Sequence, residues 1–346
     1  MRLADPTPAA PTPAGAHDHH RHGGAVDLPT ASPPANGSVS DVAGWGDLTT
    51  WHPNPGWLAL ISVLAAGYVA AVVVLRRRGD AWPAGRTIGW LLGLASLLAV
   101  TCTGLASFAT ALFSIHMVQH MVLSMLTPIL LLLGAPITVA LRALPAAGPA
   151  GAPRRVLLAV LHSRFATVIS HPGVTVTVFV VSLFALYFTN LLDVAMATHL
   201  GHQLMLIHFL TVGLLFFGPI LAVDPWPRRS APGLRLIELL VAVPFHAFFG
   251  VIVMQTGYPL SDTFSASART LGVEPLADQA TGGAIAWSFG ETPILIVTLI
   301  VFAQWVRSDT RTARRLDRQA DRDEDAALTT YNAQLRRLHD QQSTLT

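Results

Sequence analysis

Lysine is absent from this chain; all 22 basic residues are arginine. An arginine-only basic set carries no functional message by itself, but the scarcity of charge does. Only 12% of the 346 residues are charged, against about a quarter in a soluble domain. With 52% hydrophobic residues, this excludes an ordinary soluble globular protein. The formal charge of +2 is too small to attract nucleic acid. A single cysteine, Cys102, rules out an intrachain disulfide framework and a multi-cysteine metal site. No phosphate loop and no Gly-x-Ser-x-Gly elbow occurs, and His116 and His120 lack the inner Glu of a zincin motif. Nothing in the sequence calls for an enzyme.

Long apolar runs dominate instead. Spans are expected at 57–75, 87–107, 115–141, 174–195, 200–223, 234–257 and 283–306, seven in all. Pro128 and Pro136 suit a kink or early end in the third, and Pro219 and Pro244 suit kinks in the fifth and sixth. The arginines fall 19 to 3 on alternate connections. The positive-inside rule then puts the N-terminus outside and the C-terminus inside. The expected architecture is an all-α polytopic membrane bundle of seven transmembrane helices. Residues 1–56 read as a disordered extracytoplasmic tail, 57–306 as the membrane domain and 307–346 as a charged cytoplasmic helix or tail. Within the first tail lies a histidine-rich patch, His17-Asp18-His19-His20-Arg21-His22, that suits loose metal collection.

Polar residues are costly in a bilayer and tend to mark function. In the expected orientation His116 and His120 open the third span at the outer face, four residues apart and so on one helical face. Met117 and Met121 repeat that spacing. His199 and His202 open the fifth span at the same face, with His208 deeper and His246 midway along the sixth. Imidazole with thioether suits copper, and the thioether favours Cu(I). The six methionines after Met1 all map to the outer half of the spans, although methionine at helical spacing also serves as packing. His162 and His171 lie at the opposite face and are expected to be non-ligands. Glu291 is the only acid expected deep in a span, where a carboxylate needs a cation, a histidine or a hydrogen-bonding neighbour. Asp278 and Trp287 flank it as second-sphere or proton-linked candidates.

The same residues carry a resemblance. Ile115–Gln119 with His120-Met121 and the later Leu-Gly-Ala-Pro resembles the opening motif of CtaG, a bacterial family of polytopic cytochrome c oxidase assembly factors linked to caa-type oxidases. His199-Leu200-Gly201-His202 with His208, Pro244-Phe245-His246, and Asp278-Gln279-Ala280-Thr281-Gly282-Gly283 leading to Trp287 resemble three further motifs of that family, in order. The likeness runs over 45–306 and leaves out the histidine arm and the C-terminal tail. It implies a multi-pass protein of the bacterial plasma membrane that helps to mature a haem–copper oxidase.

Together these readings lead to a non-enzymatic assembly factor. Cu(I) would be held at the outer face by His116, Met117, His120 or Met121 with His199 or His202, and passed to an oxidase subunit. His208, His246 and Glu291 would form a deeper site or a proton-coupled path. Oxidase subunits, membrane lipid and an extracytoplasmic copper chaperone are the expected partners. A copper transporter and a membrane haem protein are the alternatives; the first needs ligands beyond His246, and the second needs opposed histidines around a haem.

Overall fold

The computed structural model describes residues 45–343 apart from Arg229; the histidine arm lies outside them. Among the described residues, six helices, or runs of helix, are long and apolar enough to cross a membrane. They begin with α1 (Pro55–Arg77) and α2 (Ala84–Thr101). The Asn54 side chain starts α1 by accepting from Gly56 N and Trp57 N at 3.1 and 3.3 Å, and Pro55 at the first turn needs no partner. A short α3 (Gly104–Phe108) follows.

The third span, Phe113–Ala143, is not one smooth helix. It runs as α4 (Phe113–Met121), a π-helical turn (Val122–Leu126), α5 (Thr127–Leu133) and α6 (Pro136–Ala143). Pro128 has no N–H for the Ser124 carbonyl. Thr127 N instead bonds the Val122 carbonyl, five residues back, and the ladder widens there. Ala135, with φ at 51°, turns the chain before Pro136 restarts it. Pro219 and Pro244 lie inside continuous helices without ending them.

After α7 (Ala152–Leu161) and α8 (Arg164–Ile169), the fourth expected span divides into α9 (Pro172–Tyr187) and α10 (Leu191–Met196). The 16 residues of α9 reach about 24 Å, short of a hydrocarbon core of about 30 Å. The structure therefore has six qualifying spans and a shorter apolar helix where seven spans were expected. The reason is local: Phe188-Thr189-Asn190 breaks the run with polar residues and a turn.

The remaining long helices are α11 (His199–Leu221), α12 (Pro232–Gln255) and α14 (Pro275–Ser343), with a short α13 (Asp262–Thr270) between the last two. The 69 residues of α14 continue as one helix from the bundle into the charged C-terminal stretch, which is exposed wherever its side chains are described. Here α12 and α14 pack backbone to backbone. A Cβ added at Gly283 would lie 2.6 Å from Met254 N, and one at Gly250 would lie 2.7 Å from Trp287 N. Small residues are what permit such an approach in a membrane bundle.

Three acids hold helix starts that their own sequence leaves uncapped or that need fixing from outside. Asp224 accepts from Ile137 N, Thr138 N and the Thr138 hydroxyl at the start of α6. Asp193 takes the Ser261 hydroxyl at 2.6 Å where α13 begins. Asp278 does the same for α4.

Candidate functional site

Helix α4 carries the paired histidines, and its N-cap residue, Leu112, has no side chain able to cap it. The Asp278 carboxylate of α14 supplies that function, accepting from Phe113 N at 2.7 Å, from Ser114 N at 3.2 Å and from the Ser114 hydroxyl. Negative charge is favourable at a helix N-terminus, where the first amides lack partners. Gln279 beside it accepts from Leu260 N at 2.7 Å and donates to the Tyr258 carbonyl at 3.2 Å. The Asp-Gln pair thus sets where α4 stands against α14 and the chain between α12 and α13.

So held, α4 aims both histidines at α9. The Tyr187 hydroxyl lies 2.9 Å from His116 Nε2 and 2.7 Å from His120 Nδ1. One hydroxyl donates once, so at least one of these rings donates to it. His120 lies nearly parallel to Phe209, with centroids 3.9 Å apart, and to Tyr187 at 5.5 Å. Both histidines and Tyr187 are buried. His116 Nδ1 is buried and meets no side-chain partner, and the Ala109 backbone lies within reach of the ring.

A buried imidazole nitrogen without a partner lies nearby on α11. It is His202 Nε2, and His202 is near enough to His116 for their charges to interact. His202 lines an open cavity of about 340 Å³ together with His52, His199, Gln203, Asn54 and Thr110. Trp57 Nε1 donates to Gln203 Oε1 at 2.6 Å and ties α1 to α11 beneath that cavity. On the other side, His120 and His246 line a small cavity of about 10 Å³ with Ser124 and Ser182, room for about one water. The histidines therefore run in sequence: His199 and His202 line the open cavity, His116 and His120 meet at Tyr187, and His246 shares the small cavity with His120.

Other expected residues stand elsewhere. His208 is exposed on α11, next to Phe209 and near enough to His120 for their charges to interact. Met117 and Met121 are fully buried in the core and line neither cavity. His162 Nδ1 pairs with the Leu158 carbonyl, and His171 caps α9 by accepting from Gly173 N. Trp287 is 45% exposed. Glu291 corrects the reading of its depth as burial: it faces outward and makes no hydrogen bond or ion pair with the described residues. Depth along a helix does not say which way a side chain points. A buried acid overlooked in sequence is Glu238, near the start of its span, with Ser230 and Arg235 as the polar groups acting on it. Tyr187 and His52 were also missed. A tyrosine at the end of an apolar span reads as an interfacial anchor, and a lone histidine before the first span has no partner in sequence. Among the described residues no three His, Cys, Asp or Glu side chains converge closely enough to hold one metal ion.

The family model of the cytochrome c oxidase caa3 assembly factor, CtaG, covers residues 66–308. The chain belongs to that family. The CtaG match takes in α4, α9, α11 and α12 whole, and so every histidine of the series; His52 and the start of α1 precede it. Similar proteins include uncharacterised proteins of Mycobacterium bovis and Mycobacterium tuberculosis, each 45% identical over 296 residues, and one of Mycobacterium leprae, 44% identical over 295. The aligned stretch is 84% of this chain but 45% of each relative, so the chain spans less than half the length of these relatives. No solved structure matches.

Proposed function

We propose that this CtaG-family chain is a non-enzymatic assembly factor that binds Cu(I) at the outer membrane face and supports its insertion into a haem–copper cytochrome c oxidase. Family membership supports the assembly role. The observation that carries the copper reading is His202, whose Nε2 is buried without a partner at an open cavity and which lies near enough to His116 for their charges to interact. Buried polar atoms without partners are rare and call for a ligand or an ion. Two neutral imidazoles suffice for a low-coordinate Cu(I), which needs no third protein ligand and exchanges readily, as a donor requires. His199 and His52 stand at the mouth, where the ion would first be met.

Haem suits the site less well, because the space between His120 and His246 admits about one water. Transport across the bilayer is also less well supported, since the series of histidines ends at His246.

The test is copper content and Cu(I) affinity of the purified protein, measured by competition with a chromogenic chelator. The wild type should retain copper, and a His116→Ala/His202→Ala variant should lose affinity by at least roughly tenfold. Retention of copper by the double variant would remove these two residues from the site. A Soret band in the purified wild type would replace copper with haem.

A further inference from the structure

Glu291 is the most anomalous surface residue of the bundle. It lies on α14 about 13 Å beyond Gly282 and about 24 Å before Arg307, at 1.5 Å per residue, so it sits well inside the apolar stretch of that helix. Its neighbours on the outward face are apolar: Leu295 is 60% exposed, Ile296 49% and Trp287 45%. An acid facing lipid there is costly in the absence of a partner, and Glu291 makes no hydrogen bond or ion pair with the described residues. Two further features make the spot polar. Ser288 and Thr292 are exposed one helical turn before and one position after Glu291. Pro293 lacks an N–H, so the Phe289 carbonyl loses its helical donor.

The spot is also next to the histidine series. Glu291 and His246 border the same narrow crevice, with Trp287 and Gly290. Glycine at 290 is what admits the ring: a Cβ there would lie 2.6 Å from His246 Nδ1. His246 thus stands between His120 on its inner side and the Glu291 face on its outer side.

We infer that the stripe Ser288–Glu291–Thr292 on α14 seats a membrane helix of the client oxidase that carries a basic side chain near mid-bilayer, bringing that helix beside His246. Charge complementarity selects the occupant. A second copy of this chain would set acid against acid across a two-fold axis, and lipid tails offer Glu291 no donor. Polar side chains hold membrane helices together where the hydrophobic effect cannot. The inference rests on the assembly role proposed above and gives it a direction: the client approaches from the side of the bundle, not from its outer mouth.

The experiment places a photo-crosslinking residue at Leu295 of the full chain, in membranes of cells making the oxidase, with the same residue at Val63 on the opposite part of the chain as control. Val63 is 69% exposed, so it is equally accessible. The Leu295 probe should give an adduct with an oxidase subunit, mapped to a helix bearing Arg or Lys, and Val63 should not. Glu291→Gln, which keeps the shape, should lower the adduct roughly tenfold at unchanged protein level and melting temperature. Adducts with a second copy alone, with lipid alone, or an oxidase adduct indifferent to Glu291→Gln would each overturn the docking face. Deleting the whole chain separates the two ideas. Normal oxidase after deletion removes the assembly role and the docking face together; lost oxidase with no Leu295 adduct removes the docking face alone.

Discussion

At the residue scale, the hydroxyl of Tyr187 is the smallest group with the largest reach. It bonds two histidines that lie one turn apart on another helix. Replacing it by Phe keeps the ring that packs on Phe249 and Phe113 and removes only the bridge. Two buried imidazole nitrogens then lack a partner, at about 1–3 kcal/mol for an unsatisfied buried group. Tyr187→Phe should therefore lower the melting temperature by several degrees, and reduce Cu(I) affinity by roughly 10–100-fold if the bridge sets the ring orientation as an outer partner of a metal ligand does. Thermal unfolding in detergent with a parallel chelator titration checks both. Unchanged copper affinity with lowered stability would leave the bridge a packing device. Gly290→Ala probes the neighbouring ring: its Cβ meets His246 Nδ1 at 2.6 Å, and forcing that contact should cost about 1–3 kcal/mol, again read by melting.

At the scale of elements, the histidine helix is positioned from a distance. Asp278 caps α4, while Asp224 caps α6 in the same manner at the far end of the same span. The two acids form a natural pair of controls. Asp278→Ala and Asp224→Ala should each destabilise the protein by about 1–2 kcal/mol, the usual range for a lost cap. Only Asp278→Ala should also weaken copper binding, because only α4 carries His116 and His120. Equal loss of copper affinity in both variants would show that the effect is general loosening and not misplacement of the histidine helix. Asp278 acts through α4 and has no role as a ligand in this argument.

At the scale of the whole molecule, the arginine partition and the helix order make one testable statement about topology. A reporter fused after Arg164 should behave as cytoplasmic and one near Asp262 as external. Opposite behaviour of both would invert the bundle and put the histidine cavity on the inner face; opposite behaviour of the Asp262 fusion alone would show that α9 does not cross. Between those points lies α9, whose 16 residues are fewer than the roughly 20 a span needs. A short span is met by local thinning of the bilayer or by its neighbours.

Much of this was legible in the amino-acid order alone. Apolar runs must form helices in lipid because every backbone amide needs a partner there, so six of the expected spans appear as long helices. The ordered motifs at His116, His199, His246 and Asp278 were sufficient to indicate the CtaG family. Period and spacing also brought His116 and His120 to one face. What only the tertiary structure decided is the direction of each side chain and its distant partners. Linear depth made Glu291 look buried and left Glu238 unnoticed; rotation about the helix axis reversed the two. The same rotation turned His208 outward and left Met117 and Met121 in the core. Tyr187 and His52 join the histidines through contacts between residues far apart in the chain, and no local pattern encodes such a contact. Asp278 looked like a proton-linked acid until packing set it against the bare end of α4, where a helix with an apolar N-cap needs a charge that its own sequence does not supply.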